Sequence, residues 1–411
     1  MSWKRSLPFF FMLVFFIGFA VGQVAWAAPE PAKAKEEARG NVPKVLETTA
    51  ESAVLLEPFS NRIIYEKEAH KQLPMASVTK LMTLLLAAEA VEEGNFKLSD
   101  RVITSENAWE MGGSQIYLEP GEEMSLWELL LGIGLQSGND ASVAVAEHIA
   151  GSEEAFILAM NDKARELGLV DTNFVNCHGL TAENHYTSAY DLAIILREGL
   201  KNGLFRKSNA MKEYDLRGGA FKLWNTNKLL WWYDGADAGK TGWTEAAKYC
   251  LASSAERDGL RLICVVLGTA EPKSHFREST KLFDYGFARY KAVNIADQGA
   301  KVGTVKVGKG LSESVDALTL DRVSLMVPRG EEKGFESKIE LQDYINAPVV
   351  KGQEIGAYVV TKKGQEVLRI KLVAGQDVHP ALAVLHGDAH AVAVGIGAEH
   401  AVGVQLLLQL Q

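Results

Sequence analysis

Pro74-Met75-Ala76-Ser77-Val78-Thr79-Lys80-Leu81-Met82-Thr83 is the stretch on which the reading of this chain turns. Apolar residues at Val78, Leu81, Met82 and Leu85 follow helical spacing, and the pattern predicts a helix over 78–93. Positions i and i+3 share a helix face, so the Lys80 amine can reach the Ser77 hydroxyl. A serine hydroxyl is a weak nucleophile at neutral pH and needs an adjacent base. A lysine can be that base if burial or a second cation keeps it unprotonated. The N-terminus of the helix also favours negative charge developing beside Ser77. Ser-x-x-Lys by itself is common, so the rest of the chain has to supply its partners.

Outward from that helix, Ala53–Leu56 and Ile63–Tyr65 flank Pro58, Ser60 and Asn61, which is a hairpin signal. Helical patterns recur at 125–135, 140–150, 153–167, 188–200 and 275–289. Tyr249–Ser254 and Leu260–Leu267 flank Asp258-Gly259, a strong turn dipeptide between strands. Two further motifs sit in this frame. Ser137-Gly138-Asn139 lies between helical segments, where a second hydroxyl can relay a proton and an amide can hold a carbonyl. Its plainer reading is a helix–helix turn capped by Asn139 or Asp140. Lys240-Thr241-Gly242 precedes the late strand pair. There a strand edge can pair with an extended peptide, Lys240 and Thr241 can hold a carboxylate, and Gly242 lets backbone approach a ligand. Its plainer reading is a glycine-punctuated turn.

Taken together and in this order, the motifs resemble the signature of penicillin-binding proteins and class A β-lactamases, apart from Gly138 where that signature has Asp. The middle motif reads Ser-Gly-Asn, which resembles the D-alanyl-D-alanine carboxypeptidases of the low-molecular-weight penicillin-binding group. Gly113-Ser114, Leu118-Glu119-Pro120-Gly121-Glu122, Met160-Asn161, Leu167-Gly168-Leu169, Thr172-Asn173-Phe174 and His178-Gly179-Leu180 extend the resemblance in family order. It covers about residues 46–290. It implies an α/β (α+β) catalytic domain like that of the β-lactamases and transpeptidases, followed by a small all-β sandwich-like domain. It also implies a serine carboxypeptidase acting on the peptidoglycan stem peptide, with β-lactam antibiotics as inhibitors and no metal or organic cofactor. By position, Ser77 would be acylated, Lys80 would be the general base and Ser137 the proton shuttle. Asn139 would bind the substrate amide or hold Lys80, and Lys240 and Thr241 would bind the terminal carboxylate. Gly242 would let the backbone come close to the ligand, and the backbone N–H groups of Ser77 and Trp243 would form the oxyanion hole. Ala238-Gly239 before Lys240 departs from the family's more usual Gly then apolar residue. A β-lactamase is the nearest rival, but no carboxylate motif for a hydrolytic water stands out between Asn139 and Lys240. A non-catalytic cell-wall binding protein is the rival from another class.

The remaining residues bound these readings. The 411 residues suggest two domains. From about Val293 the texture changes to short alternating runs, such as Val302–Val307, Val323–Val327, Ile339–Leu341 and Ala357–Val360, and a β domain is expected over 293–375. The formal net charge of −9 argues against nucleic-acid binding, which needs a basic face. Lys4 and Arg5, the apolar run Leu7–Val21 and Ala25-Trp26-Ala27 predict a secretory signal peptide over 1–27, with an uncleaved membrane anchor as the alternative, an exported protein and a flexible linker over 28–45. Cys177, Cys250 and Cys264 are too few for a disulfide framework, although a Cys250–Cys264 bridge is open. Beyond His379 there is no Lys or Arg. An atypical tail is therefore expected over 376–411. The cationic membrane-surface helix common in the family has no support there.

Overall fold

The computed structural model describes residues 46–381. The expected signal peptide, the linker over 28–45 and the chain beyond 381 lie outside the described residues.

The first domain is built on a five-stranded antiparallel sheet in the order β2-β1-β9-β8-β7. Its strands are β1 (Ser52–Glu57), β2 (Arg62–Lys67), β7 (Ala236–Thr244), β8 (Lys248–Arg257) and β9 (Leu260–Thr269). Small hairpins β3 (Arg101–Ile103)/β4 (Glu123–Ser125) and β5 (Glu213–Leu216)/β6 (Phe221–Trp224) stand apart from it. Every residue of β1 is buried because both faces of the sheet are covered. Val54, Leu56, Ile263, Val265 and Leu267 join the core of the helical cluster. Ala53, Leu55, Leu262, Cys264 and Val266 join a second core on the other side. Side chains alternate across a strand, so two cores follow from one apolar run. Asp258 and Gly259 take φ of 50° and 78°, the paired left-handed turn that the Asp-Gly dipeptide favours.

The helices are α1 (Lys80–Glu92), α2 (Glu106–Trp109), α3 (Leu126–Leu131), α4 (Asn139–Ala150), α5 (Glu153–Glu166), α6 (Ala189–Gly199), α7 (Gly203–Ala210), α8 (Leu229–Trp232) and α9 (Ser274–Arg289). Helix α1 is buried on most sides, as expected for a helix apolar nearly all round, and forms the centre of the cluster. Helix α9 covers the opposite face of the sheet with Leu282 and Phe283. Helix α7 has no counterpart in the sequence reading. Its start is set by Asn202, whose side chain accepts from the N–H groups of Leu204 and Phe205.

The second domain is all β. A six-stranded sheet, β14-β16-β17-β12-β11-β15, faces a two-stranded ribbon of β10 (Tyr290–Ala296) and β13 (Val323–Pro328). The larger sheet comprises β11 (Lys301–Gly308), β12 (Ser314–Thr319), β14 (Phe335–Leu341), β15 (Tyr344–Asn346), β16 (Glu354–Lys362) and β17 (Gln365–Ala374). Val323, Leu325 and Val327 from the ribbon pack on Tyr358, Val360 and Leu372 from the sheet. Residues at the start of the expected tail belong to this domain: Val378 bridges to Val349 and Pro380 to Gly310. The domains meet at the end of α9, where the Arg329 guanidinium donates to the Phe287 carbonyl at 3.0 and 3.1 Å.

All three cysteines are free and buried. Cys250 lies in the helix-side core and Cys264 in the opposite one, so the sheet itself separates them and the open bridge is not formed. Among the described residues no helix is long and apolar enough to cross a membrane.

Candidate active site

Ser77 sits on a single 3-10 turn, Ala76–Thr79, that runs into α1. Ala76 precedes it at φ 49°, a left-handed conformation unusual for a residue with a side chain. The turn is pressed from two sides by glycines. A Cβ on Gly179 would lie 2.1 Å from the Ala76 carbonyl oxygen, and Gly179 has φ +94°. A Cβ on Gly242 would lie 2.8 Å from the Met75 oxygen and 3.0 Å from the Ser77 nitrogen. Gly242 was expected to make room for a ligand. Here its missing side chain makes room for the protein's own Ser77 turn.

Lys80 is completely buried. Its Nζ lies 2.6 Å from Asn139 Oδ1, 2.5 Å from the His178 carbonyl oxygen and 3.0 Å from Ser77 Oγ. Burial pushes the Lys80 ammonium well below its ordinary range, and the neighbouring charge of Lys240 pushes the same way. A neutral amine has two N–H bonds and one lone pair. The two carbonyl oxygens accept the N–H bonds, which leaves the lone pair for the serine hydroxyl.

Ser137 follows a π turn, Gly132–Gln136, and takes φ 66°. Single π turns of this kind recur at functional sites. Its buried hydroxyl accepts from Lys240 Nζ at 2.8 Å. Helix α4 starts immediately after it, with Gly138 in the capping position and no side-chain cap. The alternative of Asn139 or Asp140 as N-cap is therefore not realised. Both side chains are used elsewhere. Asn139 Nδ2 donates to the Gly112 carbonyl at 2.6 Å while its oxygen accepts from Lys80. The buried Asp140 carboxylate accepts the N–H groups of Ile116 and Leu118 at 3.0–3.1 Å. The 112–118 loop is thus fastened to the first turn of α4. Arg217 holds its outer side by donating to the Ile116 and Tyr117 carbonyls at 2.9 Å.

Lys240, Thr241, Gly242 and Trp243 lie within β7, an edge strand bonded to β8 on one side, and not on a loose turn. Gly239 has φ 142°, and a register shift falls between Ala236 and Ala238. The Ala238-Gly239 departure therefore falls beside a bulge, and Lys240 still pairs with Ala252 beyond it. Lys240 is completely buried, and burial lowers its ammonium to about 7. Thr241 Oγ1 is 2.7 Å from Thr226 Oγ1. Trp243 is 57% exposed, and stands at the open edge.

Ser77, Lys80, Ser137, Asn139, Lys240, Thr241 and Gly242 thus converge from three parts of the chain. The Cys177–His178 pair does not act as a dyad. The Cys177 thiol donates to Glu153 at 3.4 Å, and burial first, then Glu153, push it well above its usual range. Burial, then Lys80, lower the His178 imidazole to about 3, so it is neutral, and only its carbonyl reaches Lys80. Arg277 pairs with Glu271 and has no bond to the cluster. Trp231 and Trp232 are exposed and belong to neither core. Among the described residues, no group of acidic, cysteine and histidine side chains could hold a metal ion.

The chain matches the family described as D-alanyl-D-alanine carboxypeptidase over residues 37–271, and the penicillin-binding protein 5 C-terminal domain over 290–380. The chain belongs to the D-alanyl-D-alanine carboxypeptidase family. D-alanyl-D-alanine carboxypeptidase DacF of Bacillus subtilis is 44% identical over 336 residues, covering 81% of this chain and 86% of that one. DacA of Escherichia coli K12 is 34% identical over 346 residues, covering 82% and 85%. The structure of penicillin binding protein 5 from Haemophilus influenzae superposes with a TM-score of 0.66 at 32% identity, covering 83% of this chain and all of that one. The protein is a serine-type D-alanyl-D-alanine carboxypeptidase with a mixed α/β catalytic domain and a C-terminal all-β domain.

Residues that the sequence reading left without a site role complete the cluster. Gly112 and His178 contribute backbone oxygens, and Thr226 contributes a hydroxyl. Backbone acceptors leave no signature in residue type. The run Asn225-Thr226-Asn227 was visible, as polar residues ahead of an apolar run, but nothing in it distinguishes a buried clamp from a surface loop.

Proposed function

We propose that Ser77 is the nucleophile that removes the terminal D-alanine of peptidoglycan stem pentapeptides, with Lys80 as its base. The observation that carries this reading is the Lys80 amine, fully buried and held by two carbonyl oxygens at 2.5 and 2.6 Å with Ser77 Oγ at 3.0 Å. Its lone pair accepts the Ser77 proton as Oγ attacks the carbonyl of the penultimate D-alanine. The N–H groups of Ser77 and Trp243 stabilise the oxyanion. Ser137 passes its proton to the leaving amine and is reprotonated by Lys240, whose ammonium, lowered to about 7 by burial, is a ready proton donor. Water then attacks the Ser77 ester. It gives its proton back to Ser137 and Lys240, and Lys80 returns the first proton to Ser77. Asn139 fixes Lys80, and Lys240 with Thr241 receives the terminal carboxylate. β-Lactams acylate the same serine.

The substrate lies outside the cytoplasm, and the N-terminal pattern of Lys4, Arg5, an apolar run and Ala25-Trp26-Ala27 supports export by a cleaved signal peptide. Mass spectrometry after benzylpenicillin treatment, beside a Ser77→Ala variant, tests the reading together with D-alanine release from a pentapeptide. A penicilloyl adduct on Ser77 and release by the wild type alone are expected. No adduct on the folded wild type overturns it. An adduct without release would favour a different peptide substrate or a non-catalytic binding role.

A further inference from the structure

The loop Asn225-Thr226-Asn227 joins the second and third motifs. Asn225 and Asn227 are completely buried. The Asn225 amide donates to the carbonyls of Asn209 and Met211 at 3.1 and 2.9 Å, and its oxygen accepts the Asn227 N–H at 2.8 Å. The Asn227 amide donates to the Ala238 carbonyl at 3.3 Å and to Ser253 Oγ at 3.2 Å, on the strands that carry and flank Lys240. Between them the Thr226 N–H donates to the Leu135 carbonyl at 3.1 Å, within the π turn that delivers Ser137. Two buried amides therefore clamp one half-buried threonine, whose hydroxyl is 2.7 Å from that of Thr241.

We infer that Thr226 is a positioning residue that orients the Thr241 hydroxyl toward the terminal carboxylate of the substrate. A hydroxyl has one proton and two acceptor lone pairs. In the free enzyme Thr241 spends its proton on Thr226. When a carboxylate arrives, the pair reverses. Thr226 donates to Thr241, and the Thr241 proton turns to the carboxylate. Hydrogen bonds in such a chain polarise one another, so the outer bond is strengthened by the inner one. A lone Thr241 would have no partner to hold its rotor in the free enzyme. The side chain of Thr226 has no other hydrogen-bond partner among the described residues, while its backbone does the bracing of the loop.

The inference rests on the reading of Thr241 as a carboxylate-binding residue, and the experiment separates the two. Acylation rates are measured with benzylpenicillin, which carries the carboxylate, and with its methyl ester, which does not. Thr226→Val is nearly isosteric and keeps the backbone bond to Leu135. It is expected to slow acylation by the free acid about five- to tenfold, the scale of one ordinary hydrogen bond, and to leave the ester rate unchanged. Thr226→Ser is expected to restore the wild-type ratio. Thr226→Ala gives the same reading should the valine disturb the loop, and the melting temperature of each variant reports that disturbance. Equal slowing with both compounds, or none with either, overturns the inference. Thr241→Val is the control. If it loses discrimination and Thr226→Val does not, only Thr226 is misassigned. If Thr241→Val keeps the wild-type ratio, the carboxylate reading itself fails and the inference falls with it.

Discussion

Lys80 and Lys240 in the catalytic domain and Arg369 and Lys371 on the β domain carry the same formal charge and meet opposite fates. Arg369 lies 2.9 Å from both Glu340 and Glu366, and Lys371 lies 2.9 Å from Glu354, all on exposed strands. These pairings raise the cations' pKa values. Lys80 and Lys240 have no carboxylate within ion-pair distance among the described residues. Their neighbours are carbonyls and hydroxyls, and burial lowers both. A cation on the surface keeps its proton because water and a partner both stabilise it. A buried amine beside a second amine gives its proton up, and thereby becomes a base or a donor poised near neutrality. The lowered pKa values follow from burial without a counterion.

The comparison breaks most severely at its centre. Ser77→Ala is expected to abolish both the penicilloyl adduct and D-alanine release, read by mass spectrometry and product assay. Lys80→Met, close in length but without the amine, should leave Ser77 present and lower the acylation rate about a thousandfold, within the usual reach of a general base. A residual rate near that of the wild type would mean that Ser77 draws on another base.

The pH dependence sharpens the contrast. In its proposed role as base Lys80 acts when neutral, so kcat/KM is expected to fall as pH drops through its lowered pKa. In its proposed role Lys240 acts as a cation, so kcat/KM is expected to fall again as pH rises through about 7. A bell-shaped profile for the free enzyme is expected, with its alkaline limb near 7 and absent in Lys240→Met. The same shift has a stability consequence. An unfolded lysine titrates near about 10.4, so between the two values the unfolded chain holds more protons and stability rises with pH. Urea titrations from pH 7 to 10 should show that rise in the wild type to be steeper than in Lys240→Met.

Smaller effects are expected outward. Asp140→Asn weakens the buried carboxylate's hold on the Ile116 and Leu118 N–H groups and should cost about 2 kcal/mol of stability by chemical denaturation. Arg369→Ala, on the exposed sheet, should change neither melting temperature nor activity measurably. A large effect there would mean that the β domain's charges carry more than solubility.

The contrast between the two regions was only half legible in the sequence. Alternating apolar runs and the Asp258-Gly259 turn specified the strands, since side-chain alternation and left-handed turn residues are local properties. The spacing of Ser77 and Lys80 placed both on one helix turn for the same reason. Helix α7 and the π turn before Ser137 escaped, because the first is short and polar and the second depends on packing that no local pattern encodes.

By itself the sequence determined the residue types of the cluster, their order and the family pattern they follow. It also determined the division into an α/β region and a β region. Tertiary structure alone decided that Lys80 and Lys240 lie buried without carboxylates, that Gly242 accommodates the Ser77 turn, that Cys250 and Cys264 are separated by the sheet, and that Thr226 meets Thr241. Each of these is a relation between segments far apart in the chain. Burial and its electrostatic consequences belong to such relations, because desolvation depends on everything packed around a group and not on its neighbours in sequence.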